Sequence, residues 1–278
     1  MAERMGADSA QVPNLAPDKT FTYGSDPLQT GDVWFPKGHI NDHSVPLVIF
    51  VHGGGWKRGS KDNAASRYAP AHFTGLGYAY ASIDYRLVPA VRVEDQAEDV
   101  ARAVKALIGD AKKLGIDTSR IVLTGHSAGA HLVALVGTDE TYLKKAGLTF
   151  ADIDGVIPID GAAYEVSAQL AQACRMMKAT YEQAFGTDPV RQKALSPTHH
   201  AMAPNAPAFL LIHVMRDDGV AQNEALETAL RNGGTKVQRN EFPGTGLQGH
   251  AEINRRLGDP AYAATGVVDA WLKARFGE

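Results

Sequence analysis

A single cysteine occurs in 278 residues. Cys174 has no second cysteine to pair with, so the fold needs no oxidising compartment to close it. A lone thiol of this kind reads as a small buried hydrophobe rather than a nucleophile. Paired cysteines and a His-Glu-x-x-His helix are both missing, and the adjacent His199 and His200 lack ligand spacing. No metal is expected. No other cofactor is expected either, because Gly53-Gly54-Gly55 lacks the later glycine and the acidic residue of a dinucleotide-binding turn. Neither sign of charge dominates: 28 Lys and Arg stand against 31 Asp and Glu, a formal net charge of −3. That balance gives no reason to expect nucleic acid or an acidic membrane surface as partner. No run is apolar enough to span a bilayer, and Met1 to Pro17 lacks the apolar centre of a secretory signal. The expectation is a cytoplasmic protein; a secreted or periplasmic chain whose signal had been removed would read the same way. Internal repeats and low-complexity tracts are absent, and nothing in the sequence sets an oligomeric state.

What the chain does have is a strand, a Gly-x-Ser-x-Gly and a helix, in that order. Ile121-Val122-Leu123 precedes Gly125-His126-Ser127-Ala128-Gly129, and the helix-forming run Ala130 to Val136 follows. This is the pattern of a nucleophile elbow, a tight turn that lifts a serine hydroxyl clear of a sheet. Its glycines let strand and helix pass close together. The helix N-terminus favours developing negative charge. A second glycine-rich turn, His52-Gly53-Gly54-Gly55-Trp56, follows the most apolar run of the chain, Leu47 to Val51. Such a turn presents backbone N–H groups to a developing oxyanion. The expected oxyanion donors are the N–H groups of Gly54, Gly55 and Ala128. Trp56 and Tyr85 stand where they would either line a substrate pocket or pack behind the turns.

A serine hydroxyl needs a neighbouring base. In this pattern the chain order is serine, acid, histidine. His250 lies in a glycine-rich loop, with Gly244 to Gly249, after the last predicted strand and is the expected base. His199 and His200 come before the seventh strand, and His213 lies inside it. His126 and His131 read as residues that hold neighbouring loops by hydrogen bonds. The acid is expected after the strand ending near His213, where Asp217 and Asp218 both fit.

HGGGW, Asp84-Tyr85-Arg86-Leu87-Val88-Pro89 and GHSAGAH together resemble the α/β-hydrolase esterases. Within them the chain is similar to the carboxylesterase and feruloyl-esterase-like branch that includes the arylformamidases (kynurenine formamidases). The resemblance covers roughly residues 20 to 275. The hormone-sensitive-lipase branch shares HGGG, but it usually has Asp where this chain has His126 and carries a longer N-terminal cap. Similar esterases often show His-Gly-x-x-Asp-x-x-Val after the seventh strand. His213, Asp217 and Val220 keep that spacing, with Val214 in place of the glycine, so the resemblance favours Asp217 over Asp218 as the triad acid.

Periodicity fills in the remainder. Thr20 to Tyr23 and Asp32 to Phe35 alternate as an antiparallel edge hairpin. Further strands are expected at Leu47–Val51, Tyr78–Ile83, Ile121–Leu123, Gly155–Ile159, Ala208–Val214 and Lys236–Phe242. Helices are expected at Asn63–Leu76, from Glu94 onward (a stripe of Ala97, Val100, Ala101, Val104, Leu107 and Ile108), at Ala221–Asn232 and around Trp271. Strands alternating with helices imply an α/β fold. Its mostly parallel twisted sheet has about eight strands, with helices on both faces. Residues 1–18 read as an N-terminal arm and 19–278 as one domain, with a small cap inserted at about 165–205. The predicted activity is hydrolysis of small carboxylic esters by Ser127, His250 and Asp217 through an acyl-enzyme. The alternatives are an amidase or arylformamidase with the same triad, and a non-catalytic receptor on the same fold.

Overall fold

The computed structural model describes residues 15–39, 43–64 and 67–277. Its eight strands are β1 Lys19–Thr22, β2 Thr30–Trp34, β3 Val45–Val51, β4 Ala79–Ile83, β5 Ile116–His126, β6 Gly155–Ile159, β7 Ala208–Val214 and β8 Lys236–Phe242. They form one sheet in the order β1-β2-β4-β3-β5-β6-β7-β8. β1 and β2 are antiparallel at one edge, and all pairs from β4 through β8 are parallel. The α/β sheet expected from the sequence is therefore present, including the edge hairpin.

Both faces of the central strands are buried, and side-chain alternation divides them between two cores. Leu47, Ile49 and Val51 of β3 face one core with Ile121 and Leu123 of β5 and Phe209 and Leu211 of β7. Val48, Phe50, Val122, Leu210 and Ile212 face the other. The first core is covered by helices that include Val93–Gly109 and Ala128–Thr138, the second by helices that include Ala69–Gly75, Gly246–Arg256 and Ala263–Phe276.

The helices are, in order, α1 Lys61–Ala64, α2 Ala69–Gly75, α3 Val93–Gly109, α4 Ala111–Leu114, α5 Ala128–Thr138, α6 Glu140–Lys145, α7 Val166–Gln172, α8 Arg175–Phe185, α9 Pro189–Ala194, α10 Pro197–His200, α11 Asp217–Asn232, α12 Gly246–Arg256 and α13 Ala263–Phe276. On α3 the expected stripe is buried except for the half-buried Ile108. Its first turn is closed by Asp95, whose carboxylate accepts from the Arg92 N–H at 2.9 Å. Carboxylates are favoured there because they meet the unpaired N–H groups of the first turn.

Two expectations change, and the arm is described only in part. The single helix over Asn63–Leu76 is two helices, α1 and α2; residues 65–66 lie outside the described residues. Of the arm, residues 1–14 also lie outside them. Residues 15–18 run beside β2, where the Leu15 carbonyl accepts from Trp34 Nε1 at 2.9 Å and Asp18 N donates to Val33 O at 3.0 Å. Finally, the glycine-rich stretch around His250 is not a loop. Apart from Gly244 and Thr245 it is the first turn of α12, and Ile253 and Leu257 dock it on the second core.

Candidate active site

The elbow is built as the sequence implies, and for identifiable steric reasons. Ser127 directly follows β5 and precedes α5 with φ 57° and ψ −116°, a strained conformation for a residue with a side chain. A Cβ on Gly125 would lie 2.5 Å from the Gly129 carbonyl oxygen, and one on Gly129 would lie 2.1 Å from that of Val51. No side chain fits at either position. Ser127 N donates to the Ile159 carbonyl at 3.0 Å, so the turn is tied to the end of β6.

The HGGG turn lies against this elbow. A Cβ on Gly53 would come within 2.9 Å of His126 O and 3.0 Å of Ser127 Cβ. Gly54 adopts φ +123°, and a Cβ there would sit 2.0 Å from the Arg58 carbonyl oxygen. Gly55 adopts φ +62° under Thr180 of α8. Ala128 is the first residue of α5, where a backbone N–H has no acceptor within its own helix. Of the three expected oxyanion donors, Ala128 directly follows Ser127, and Gly54 and Gly55 continue the turn whose Gly53 abuts it.

Trp56 and Tyr85 do not line the cavity, which corrects one of the two readings left open for them. Trp56 is 2% exposed and packs edge-on against Phe185, His131 and Tyr181. Tyr85 is fully buried; its hydroxyl donates to His52 O at 3.0 Å and its ring stacks on His52. Both side chains support the HGGG turn from behind.

Ser127 and His250 line one cavity of about 550 Å³. His250 Nδ1 donates to Asp160 Oδ2 at 2.5 Å. With Nδ1 holding the proton, Nε2 carries the free lone pair and is the nitrogen able to accept from a hydroxyl. Asp160 follows β6 directly, is fully buried, and takes φ 44°. Its other oxygen accepts from the Val214 N–H at 3.1 Å. Burial works against the Asp160 charge. The hydrogen bond from His250 and the positive charge of Arg216 outweigh it and hold the carboxyl below its usual range.

The carboxylate beside His250 is therefore Asp160, and the expectation for Asp217 is corrected. The reason lies in the turn after β7. Arg216 N donates to Val214 O at 2.8 Å, a three-residue turn that sends the chain straight into α11. Asp217 becomes the first residue of that helix and is exposed at the cavity rim. Asp218 is half-buried, accepting from Gln169 Nε2 at 3.0 Å and lying 3.5 Å from Arg216 Nη1. Asp160 had a signal in the sequence that went unread. An ionisable residue directly after the apolar run Gly155–Ile159 stands at the carboxyl end of a parallel strand, where α/β sheets place their ligands.

The rest of the wall comes mainly from α7 and α8, with Gln169, Gln172, Met177 and Tyr181, and from Met215 and Leu247 at the rim. Met215 is 53% and Leu247 67% exposed. Cys174 is exposed at the same rim rather than buried, because it caps the start of α8 instead of entering a core.

Three further histidines surround the elbow, each neutral and each holding backbone. His126 Nε2 donates to His250 O at 2.9 Å, His131 Nε2 to Leu195 O at 2.8 Å, and His52 Nδ1 to Gly53 O at 2.7 Å. Burial pushes them down to about 3, 4 and 4 respectively. Unfolding restores an ordinary value near 6.5. Below that pH the unfolded chain takes up protons that the folded chain refuses. Their contribution to stability is thus complete above about pH 6.5 and is lost as pH falls toward about 4, by about 1.4 kcal/mol per pH unit for each group. Melting temperature should drop steadily over that window and be nearly flat just above it. A melting temperature unchanged from about pH 7 to pH 5 would contradict this reading.

An eight-stranded sheet of this order with an elbow after its fifth strand defines the α/β-hydrolase fold. The family model described as BD-FAE matches residues 32–230, and the chain belongs to that family. Esterase LipC of Mycobacterium tuberculosis is 30% identical over 255 residues, covering 87% of this chain and 62% of LipC. The chain thus spans less than two thirds of LipC. Kynurenine formamidase of Danio rerio is 28% identical over 248 residues, covering 87% of this chain and 78% of that protein. Among solved structures, the apo form of Thermogutta terrifontis esterase 2 superposes with a TM-score of 0.75 at 22% identity, covering 96% and 97% of the two chains. At that identity the likeness speaks for the fold alone. Among the described residues, no helix is long and apolar enough to cross a membrane.

Proposed function

We propose that the protein is a serine hydrolase of small carboxylic esters, with Ser127 as nucleophile, His250 as base and Asp160 as the acid that orients it. One observation carries the reading: the 2.5 Å contact of His250 Nδ1 with buried Asp160, in a cavity that the strained Ser127 also lines. Ser127 Oγ attacks the carbonyl while His250 Nε2 takes its proton. Asp160 stabilises the imidazolium, and the oxyanion rests on the N–H groups of Ala128, Gly54 and Gly55. His250 then protonates the leaving alcohol, and water cleaves the acyl-enzyme by the same steps. Residues 165–205 act as a small cap. α7 and α8 supply cavity wall, while Phe185 anchors α8 on Trp56 at a ring distance of 4.7 Å. No metal or cofactor enters this chemistry.

The likeness to a kynurenine formamidase supports a second substrate type for the same residues, an activated amide. A fluorophosphonate probe should label Ser127, and p-nitrophenyl acetate should be turned over faster than an N-formyl anilide. Failure to label would leave a receptor on this fold as the better reading. Faster turnover of the anilide would make the protein an amidase.

A further inference from the structure

We propose that Arg216 is a positioning residue that acts through Asp160 and sets the acidic limit of catalysis. The proposal rests on Asp160 being the acid of the triad. Arg216 caps the start of α11, and its side chain is 14% exposed in the cavity wall. Its Nε lies 3.4 Å from Asp160 Oδ2, the oxygen that accepts from His250. That buried Nε has no hydrogen-bond partner among the described residues. Nη2 donates to Gly161 O at 3.4 Å, and Nη1 lies 3.5 Å from Asp218 Oδ2. The guanidinium therefore faces Asp160 as a charge rather than as a donor already committed elsewhere.

A guanidinium stays charged throughout the working range. When His250 accepts a proton, two cations share one carboxylate oxygen. The Arg216 charge thus opposes the imidazolium that Asp160 favours, and the balance of the two is what a pH profile reads. The same cation favours ionised Asp160, whose burial would otherwise oppose its charge.

Other groups face the Asp160–His250 pair. His126 packs on His250 from the end of β5 with rings 4.4 Å apart, and burial keeps it neutral. Tyr164 after β6 and Tyr262 before α13 lie near Asp160, and burial pushes both phenols up. Tyr181 and Cys174 reach the cavity from α8, and Asp217 and Asp218 from α11. Of these side chains, Arg216 supplies the permanent positive charge.

The test is the pH dependence of kcat/KM on p-nitrophenyl acetate, from about pH 5 to pH 9, for the full chain and its variants. In Arg216→Met the acidic limb should move up by about one pH unit. Turnover should be about tenfold lower on the acidic side and converge with wild type above the limb. Arg216→Lys, which keeps the charge, should hold the limb near its original place. If Arg216→Met does not fold, Arg216→Gln removes the charge and keeps a polar stem, and the same shift is expected of it. An unmoved limb, an equal loss at every pH, or a shift in Arg216→Lys as large as in Arg216→Met would overturn the proposal. The triad is tested apart from this, by Asp160→Asn. If that variant keeps its turnover, the triad assignment fails; if it is inactive and the Arg216→Met limb stays put, the role of Arg216 alone fails.

Discussion

Ser127→Ala should fold as the wild type does and lose on the order of 10⁴-fold or more in ester turnover. The Ser127 side chain makes no capping bond to α5, so removing its hydroxyl deletes no structural contact there. Alanine must still adopt φ 57°, but serine bears that strain already. What disappears is the nucleophilic oxygen that the elbow presents to a carbonyl. Residual activity should come from the oxyanion donors and binding alone, as it does when a triad member is removed from a serine protease. The measurement is kcat/KM on p-nitrophenyl acetate beside a melting curve. Near-wild-type turnover in a folded variant would sink the reading.

Asp160→Asn should be nearly as damaging, about 10⁴-fold by analogy with the same change in serine proteases. The amide can still accept from the Val214 N–H, which Asp160 now does at 3.1 Å. Toward His250, however, an amide that presents its NH₂ forces Nδ1 to accept. The proton then moves to Nε2, and the nitrogen that must take the serine proton can no longer do so. Asp217→Asn should change kcat/KM by no more than a few-fold, because the Asp217 side chain is exposed and bonds to neither His250 nor Arg216. A dead Asp217→Asn beside an active Asp160→Asn would return the acid to the position that the spacing from His213 to Val220 suggests.

These two variants test the place where sequence and structure part. β6 and β7 begin and end where the apolar runs do, since strands buried on both faces leave a continuous hydrophobic record. The elbow was legible because its glycines are sterically required. The acid was not, because spacing within a motif assumes a particular turn. Val214 turns the chain into α11 three residues before Asp217. Trp56 and Tyr85 were ambiguous because a large aromatic beside a glycine turn serves equally well as wall or as backing, and composition cannot tell which side of the turn it faces. Helix α12 was hidden by its own glycines, at Gly246 and Gly249, which weaken helical propensity without preventing a helix that is docked through Ile253.

His126 and Ile159 are partners in the β5–β6 register, and Ser127 and Asp160 are the next residue on each strand. The Ser127 N–H to Ile159 O bond closes that step. Ser127 and Asp160 are therefore two teeth of one rack, set at the ends of neighbouring strands in the middle of the sheet, and neither can slide without shearing the ladder. His250 is different in kind: it rides on a separate helix that latches to both teeth, through His126 beside the first and through its own imidazole to the second. Any slackness in the catalytic machine belongs to that latch and not to the rack. Alignment of the site is then a question of how α12 seats, not of how the sheet is built.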